Sequence, residues 1–179
     1  PESVSGVSVG DFHCPSSVEV SSDCVLGVRG EGNQFVFYAL NPVYGLGREL
    51  VSIEVKSFFA NWDLSPDGER IAMVHNDGRL RIITIDDGDE RELKWDDWTI
   101  GEFVTWSPDG AGVIVDGLQH GTQRLKQDLL NGSLDPDDVH LLRREPNQWH
   151  VHPSISPDVL RVAFGLMVFS GNAWMIEEP

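Results

Sequence analysis

The sequence predicts an all-β fold made of repeated antiparallel sheets, and two observations support this prediction. First, a Ser-Pro-Asp turn occurs three times, beginning at Ser65, Ser107 and Ser156, with separations of 42 and 49 residues. Second, each turn follows a strand-like segment and precedes a short apolar run: IAMV at 71–74, VIV at 113–115 and VAF at 162–164. A period in the forties built from short strands is typical of β-propeller blades, each of which is a four-stranded sheet.

Each repeat turn contains the residue types that a tight turn requires. Proline presets φ at the first central position, and the aspartate side chain can bond to nearby backbone. The glycine that follows in two of the turns tolerates a left-handed backbone, and Val159 replaces it in the third. We therefore interpret these aspartates as turn-forming residues and not as general acids or bases. The repeat-turn residues are Ser65, Pro66, Asp67, Gly68, Ser107, Pro108, Asp109, Gly110, Ser156, Pro157 and Asp158.

The repeat divides the chain into about four blades of four-stranded antiparallel sheet. Their approximate boundaries are 10–55, 60–95, 103–143 and 150–178. The last blade lacks a fourth strand, which residues 3–9 (SVSGVSV) could supply as a ring-closing strand. The alternative is that further blades precede this chain, and we expect it to be part of a larger propeller because four blades is the lower limit for a closed ring.

The third blade contains one ambiguous segment. Residues 121–130 (GTQRLKQDLL) have a composition that also suits a short helix. Alignment with the other blades favours a strand, and we predict a strand on that basis.

Charge excludes some partners. The chain has 13 Lys and Arg residues against 29 Asp and Glu residues, which gives a formal net charge of −16. Such a surface repels phosphate groups, so we expect no direct contact with nucleic acid and no docking on anionic lipid. No apolar run approaches the roughly 20 residues of a membrane-spanning helix, so we predict no membrane insertion by this segment.

Cys14 and Cys24 are the only cysteines. In the blade pattern Cys14 ends the innermost strand and Cys24 begins the next one, so a disulfide across this antiparallel pair is geometrically reasonable. A disulfide would favour an extracytoplasmic location, either periplasmic or membrane-tethered. Two reduced, partly buried thiols are the alternative. Zinc binding by this pair alone is not expected, because structural zinc takes four ligands.

With these residues placed, the repeat resembles that of TolB-like bacterial β-propellers, which are relatives of the WD repeat. Three stretches, 13–50, 147–164 and 170–179, resemble the C-terminal propellers of bacterial proteins that carry a Ser/Thr kinase or winged-helix domain. The resemblance covers most of residues 11–179 and departs at Val159 and in the 116–138 segment. It implies a propeller fold and a sensory or scaffold role, and it supplies no catalytic residues.

Three further patterns have simpler interpretations. Residues 6–10 match the G-x-S-x-G nucleophile elbow, but no helix is predicted to follow, as that motif requires. His150 and His152, with Glu145 nearby, could form part of a metal site, and the acidic turn at 86–90 offers oxygen ligands for calcium. We predict no metal and no cofactor, since neither group has the spacing of a known site.

The candidate partner-binding surface is the WDDW segment, which links two predicted blades. It consists of Trp95, Asp96, Asp97 and Trp98, and aromatic residues are frequent anchors of protein interfaces. The other tryptophans are expected to pack between blades.

The sequence thus predicts a module without enzymatic activity that binds a protein, peptide or ligand. We expect it to be the sensory or scaffold part of a larger bacterial signalling protein. The alternative is an accessory propeller of an enzyme, a Ser/Thr kinase or a peptidase, whose catalytic domain lies outside this chain.

Overall fold

The computed structural model of the chain describes residues 10–16, 23–55, 60–75, 77–121, 128–135, 138–144, 148–156, 158 and 161–168. These residues form fourteen β-strands and no helix, so the all-β prediction is confirmed. Accordingly, the described part of the chain contains no helix long and apolar enough to cross a bilayer.

The strands form sheets in which neighbours along the chain pair antiparallel. The first blade contains β1 (Phe12–His13), β2 (Cys24–Arg29), β3 (Gln34–Asn41) and β4 (Gly45–Glu54). The second contains β5 (Ala60–Leu64), β6 (Arg70–His75), β7 (Arg79–Thr84) and β8 (Glu90–Leu93). The third contains β9 (Trp98–Trp106), β10 (Gly112–Gln119), β11 (Asp128–Ser133) and β12 (Val139–Arg143). The described strands of the fourth are β13 (Gln148–Ile155) and β14 (Val162–Val168).

The predicted start of the third blade at residue 103 was wrong, because β9 begins at Trp98, which pairs with Gln119 of β10. Gly101 interrupts the apolar alternation in this segment and conceals the strand from pattern analysis. The ambiguous segment ends in strand β11, so the strand prediction is confirmed for residues 128–130. The proposed closing strand at 3–9 and the end of the fourth predicted blade, residues 169–178, lie outside the described residues.

The three repeat turns have equivalent hydrogen bonds. In the second turn, the Ser107 hydroxyl donates to Asp109 Oδ1 at 2.6 Å and accepts from the Gly112 amide at 2.9 Å. Ser65 and Ser156 make the corresponding bonds to their own aspartates and to the amide five residues further on. The repeat therefore specifies one turn geometry, in which serine and aspartate complete the hydrogen bonding of a tight backbone reversal.

Blade packing explains the continuous apolar runs that follow the turns. In β6, Ile71 and Met73 pack in one buried cluster with Phe37 of the first blade, whereas Ala72 and Val74 belong to a second cluster. This second cluster includes residues of the third blade, such as Val104 and Trp106. The second blade is therefore buried on both faces, and so both sets of alternating side chains in its inner strands must be apolar.

Two cross-links join the strands and the blades. Cys14 and Cys24 form a disulfide beside β1, with their Cα atoms 4.1 Å apart. The Arg70 guanidinium, at the end of the first repeat turn, donates to the Gly110 carbonyl of the second turn at 3.1 Å. It also lies over the Trp106 ring, 4.8 Å from the ring centroid, so the second and third blades are linked at their turns.

Candidate functional site

The innermost strands of the four blades surround one cleft. Strand β9 packs beside β5 on one side and beside β13 on the other, and β1 of the first blade completes the wall. We call this space, which has a volume of about 320 Å³, the inner-strand cleft. Its walls carry two histidines and two aspartates, together with neutral polar and aromatic side chains.

The register of the repeat determines which residues line this cleft. Asp63, Thr105 and Ser154 each lie two positions before a repeat-turn serine, and Asn61, Phe103 and His152 each lie four positions before one. Side chains alternate along a strand, so positions two and four before the turn share a face. The first blade adds Asp11 and His13, which are also two positions apart.

The Asp63 carboxylate makes four polar contacts, three of which reach the first and third blades. Its Oδ1 accepts from the Leu64 amide at 2.9 Å and lies 2.9 Å from His13 Nδ1 of the first blade. Its Oδ2 accepts from the Thr105 hydroxyl and the Trp106 amide of the third blade, both at 2.9 Å. The Asp63 carbonyl also accepts from the Trp106 indole at 3.1 Å. These contacts hold the walls of the cleft in fixed relative positions.

This arrangement also orients His13. A carboxylate only accepts hydrogen bonds, so the His13 nitrogen that faces Asp63, Nδ1, carries a proton. In the neutral imidazole the other nitrogen, Nε2, is then an acceptor. The ring also packs edge-on against Trp62, with centroids 4.5 Å apart. A neutral His13 ring therefore presents Nε2 as a hydrogen-bond acceptor in the wall of the cleft.

The opposite wall contains a histidine in an uncommon backbone conformation. His152 has φ of 50° and lies at a bulge of β13, where the pairing with β14 shifts between Val151 and Ser154. Its ring lies 4.3 Å from that of Phe103, measured between centroids. Left-handed backbone is uncommon outside glycine and often occurs at functional sites.

A buried carboxylate lies behind this wall. Asp116 of β10 is completely buried, and its Oδ1 accepts from the Phe103 amide at 2.8 Å. Its Oδ2 has no hydrogen-bond partner among the described residues. Burial raises the pKa of Asp116 to about 6, and its backbone hydrogen bonds limit the shift. Asp116 therefore supports the backbone of β9 and does not itself line the cleft.

Trp95, one of the residues predicted for a binding rim, is buried between two blades. Its side chain is only 2% exposed and belongs to the core between the second and third blades. It packs directly over Gly132, which leaves no room for a side chain at that position. Asp96 and Asp97 are exposed, and Trp98 is half-buried against the same core. Burial between blades thus removes Trp95 from any rim surface, and a rim role for the other three stays a prediction.

The repeat-turn aspartates lie in the turns and away from the cleft. Hydrogen bonds from Ser107 and from the Ala111 amide lower the pKa of Asp109, although slight burial opposes them. For Asp67, burial raises the pKa, but hydrogen bonds from Ser65 and the Glu69 amide, together with the charge and hydrogen bond of Arg70, outweigh it, so the pKa is lowered. Pro157 and the side chain of His150 are outside the described residues. Within the described ranges, no group of three or more His, Cys, Asp or Glu residues could hold a metal ion.

Comparison with known proteins establishes the fold class. No protein-family model matches the sequence, and no curated protein matches it. Solved structures do match: TolB from Acinetobacter baumannii has a TM-score of 0.60 at 15% identity, over 79% of this chain and 34% of TolB. A prolyl endopeptidase has a TM-score of 0.61 at 14% identity, over 90% of this chain and 26% of the peptidase. The Cps50 (Swd1) β-propeller domain of Myceliophteria thermophila has a TM-score of 0.52 at 14% identity, over 88% of this chain and 49% of that domain.

The chain is therefore a β-propeller. Its predicted resemblance to TolB-like and WD-repeat propellers is confirmed at the level of the fold. It spans less than half the length of each of these solved chains, as expected for part of a larger propeller. The matches include a prolyl endopeptidase as well as TolB, so the shared fold alone does not determine whether this chain is catalytic.

Proposed function

We propose that the chain is a non-catalytic propeller module that binds a protein or peptide partner at the inner-strand cleft, within a larger bacterial signalling protein. The observation that carries this proposal is that the innermost strands of the four blades meet at one cleft. Each of the four innermost strands contributes side chains to the same cleft, so four repeats build one site. Concave sites in which a few polar groups are held in fixed orientations are the usual form of binding sites.

The rigidity of the cleft supports binding. Asp63 holds side chains of the first and third blades through its polar contacts, so the walls do not need to be ordered when a partner arrives. Preorganisation of this kind reduces the entropic cost of association. The volume of about 320 Å³ suits one or two inserted side chains of a partner better than a whole folded element.

The same contacts give Asp63 a positioning role. Asp63 is the carboxylate beside His13, and both of its oxygens are held by polar contacts within the protein. A carboxylate held in this way orients its neighbours. We therefore assign Asp63 a positioning role in a binding site.

An accessory propeller of an enzyme is a second candidate, because a prolyl endopeptidase is among the structures that the chain matches. The two candidates differ in the domains that flank residues 1–179 in the parent protein. The complete sequence of the parent protein therefore distinguishes between the two candidates. We also propose an extracytoplasmic location, supported by the Cys14–Cys24 disulfide, since disulfides persist in oxidising compartments.

The binding proposal can be tested with a blocked cleft. Ser154 is exposed in the cleft, so Ser154→Trp fills the cleft. The control is Ser52→Trp, which places the same side chain at an exposed position of outer strand β4. We expect heptapeptides selected by phage display on the wild-type chain to bind it in fluorescence anisotropy. Ser154→Trp should weaken that binding at least tenfold and Ser52→Trp should not. Equal binding to both variants would place the binding surface elsewhere.

A further inference from the structure

We propose that the inner-strand cleft recognises an ammonium group, as carried by a lysine side chain or a small diamine. This inference rests on the proposed binding function and names the chemistry of its ligand. It follows from the groups that line the cleft, the tautomer that Asp63 favours in a neutral His13 ring, and the charge of the chain.

The lining of the cleft is rich in acceptors and has no fixed cation. Its described lining residues include the carboxylates of Asp11 and Asp63 and no lysine or arginine. The amide oxygen of Asn61 and the hydroxyl of Ser154 can also accept hydrogen bonds. An anionic group entering this space would meet two carboxylates without a compensating charge. An ammonium group has three donors and no acceptor, and so it complements these groups.

His13 strengthens this preference. Its Nδ1 faces Asp63 Oδ1 at 2.9 Å, which leaves Nε2 as an acceptor in the neutral ring. No described residue donates to Nε2, and the His13 side chain is 33% exposed along the cleft wall. A histidine that was free to rotate would offer either nitrogen. The contact with Asp63 places the Nδ1 proton, so a neutral His13 ring presents its acceptor before a ligand binds.

Asp11 supplies a negative charge at the edge of the cleft. Its backbone carbonyl accepts from the Gly27 amide at 3.0 Å, which fixes the exposed residue beside β2. We assign Asp11 as the ionic partner of the ammonium group and His13 Nε2 as a hydrogen-bond acceptor for it. The net charge of −16 attracts cations to the whole surface, so the test has to separate this site from general attraction.

The probes are the pentapeptide acetyl-Gly-Gly-Lys-Gly-Gly-amide, its Gln counterpart and its Glu counterpart, together with 1,5-diaminopentane. Binding is measured at 150 mM salt by calorimetry and by imidazole ¹⁵N resonances of His13 in the complete 179-residue chain. We expect the Lys peptide to bind at least tenfold more tightly than the Gln peptide and to shift the His13 resonances. Binding of the diamine at the same strength would identify a free amine as sufficient, whereas binding of the Lys peptide alone would identify a peptide.

Two cleft variants and one matched control complete the test. His13→Phe keeps a ring but loses the acceptor, and Asp11→Asn removes one charge without changing the size of the side chain. Glu31→Gln removes one charge from an exposed turn of the same blade. We expect each cleft variant to weaken binding of the Lys peptide at least fivefold and Glu31→Gln to leave it within twofold. Circular dichroism and thermal unfolding check that each variant is folded.

The outcomes separate the two proposals. If the Gln or Glu peptide shifts the His13 resonances as strongly as the Lys peptide, the ammonium proposal is overturned and cleft binding stands. Loss of affinity in Glu31→Gln equal to that in Asp11→Asn also overturns it, because general charge would then explain the binding. If Ser154→Trp also leaves the binding of the selected heptapeptides unchanged, the proposed function fails as well.

Discussion

Asp116 makes a specific prediction about how stability depends on pH. Its pKa rises from 3.8 to about 6 in the folded chain because the carboxyl group is buried. The unfolded chain therefore releases this proton at a lower pH than the folded chain does. Below pH 3.8 Asp116 is protonated in both states and costs nothing. Between about pH 4 and 6 the contribution of Asp116 to folding becomes steadily less favourable, and above pH 6 the penalty is constant.

The size of this penalty follows from the shift in pKa. A shift of about two units corresponds to roughly 3 kcal/mol at about 1.4 kcal/mol per unit. Asp116→Asn removes the titrating group but keeps an oxygen that can accept from the Phe103 amide. We therefore expect the stability difference between variant and wild type to move by about 2.4 kcal/mol in favour of the variant from pH 4 to pH 7, because part of the penalty is already present at pH 4.

The measurement is the free energy of unfolding in urea, followed by tryptophan fluorescence at pH 4 and pH 7 for both proteins. Asp96→Asn is the matched control, because Asp96 is exposed and the substitution is the same. The amide group itself has a cost at Asp116, but that cost is the same at both pH values and cancels. A difference between variant and wild type that is equal at pH 4 and pH 7 would refute the assignment of Asp116 as a buried, pH-dependent group.

Two further predictions concern the interior and the repeat turns. Gly132→Ala should destabilise the chain by about 2 kcal/mol in urea unfolding, because its Cβ would lie 2.8 Å from Cε2 of Trp95 and closer still to other ring atoms. Gly30→Ala is the control, with its nearest atom at 3.5 Å, and equal losses would show that Trp95 does not cover Gly132. Ser107→Ala should cost about 1–3 kcal/mol in the same assay, because the Gly112 amide loses its side-chain acceptor. Ser156→Ala should cost less because that turn is exposed, and the reverse order would contradict the roles assigned to the turns.

The fold was predictable because the repeat carries local and tertiary information together. Serine, proline and aspartate specify a turn by short-range hydrogen bonds, which the sequence reveals directly. The apolar run of β6 reveals burial on both faces. Pattern analysis failed at Trp98–Phe103, where Gly101 interrupts the alternation, and it placed Trp95 on a rim. Polar neighbours such as Asp96 suggest exposure, but the opposing Gly132 that makes space for the indole is 37 residues away in sequence.

The candidate site was only partly visible in the sequence. His152 was noticed, but as a possible metal ligand beside His150. Asp63 and His13 were not singled out, because a carboxylate and an imidazole 50 residues apart show no relation until the first and second blades are placed side by side. One signal was available: the positions two and four before each repeat-turn serine share a face, and that face is the innermost one.

Those two positions also explain how a repeated fold can hold a single site. The turn serine and aspartate recur in three blades because each blade needs the same backbone reversal. The inner-face positions differ in every blade: Asp63, Thr105 and Ser154 at one, and Asn61, Phe103 and His152 at the other. A strand edge that faces a cleft imposes little on its side chains, so these positions are free to diverge. Asp63 uses that freedom to bond with the first and third blades at once, which no set of identical residues could do. The repeated residues therefore set the fold, and the divergent ones make the cleft asymmetric.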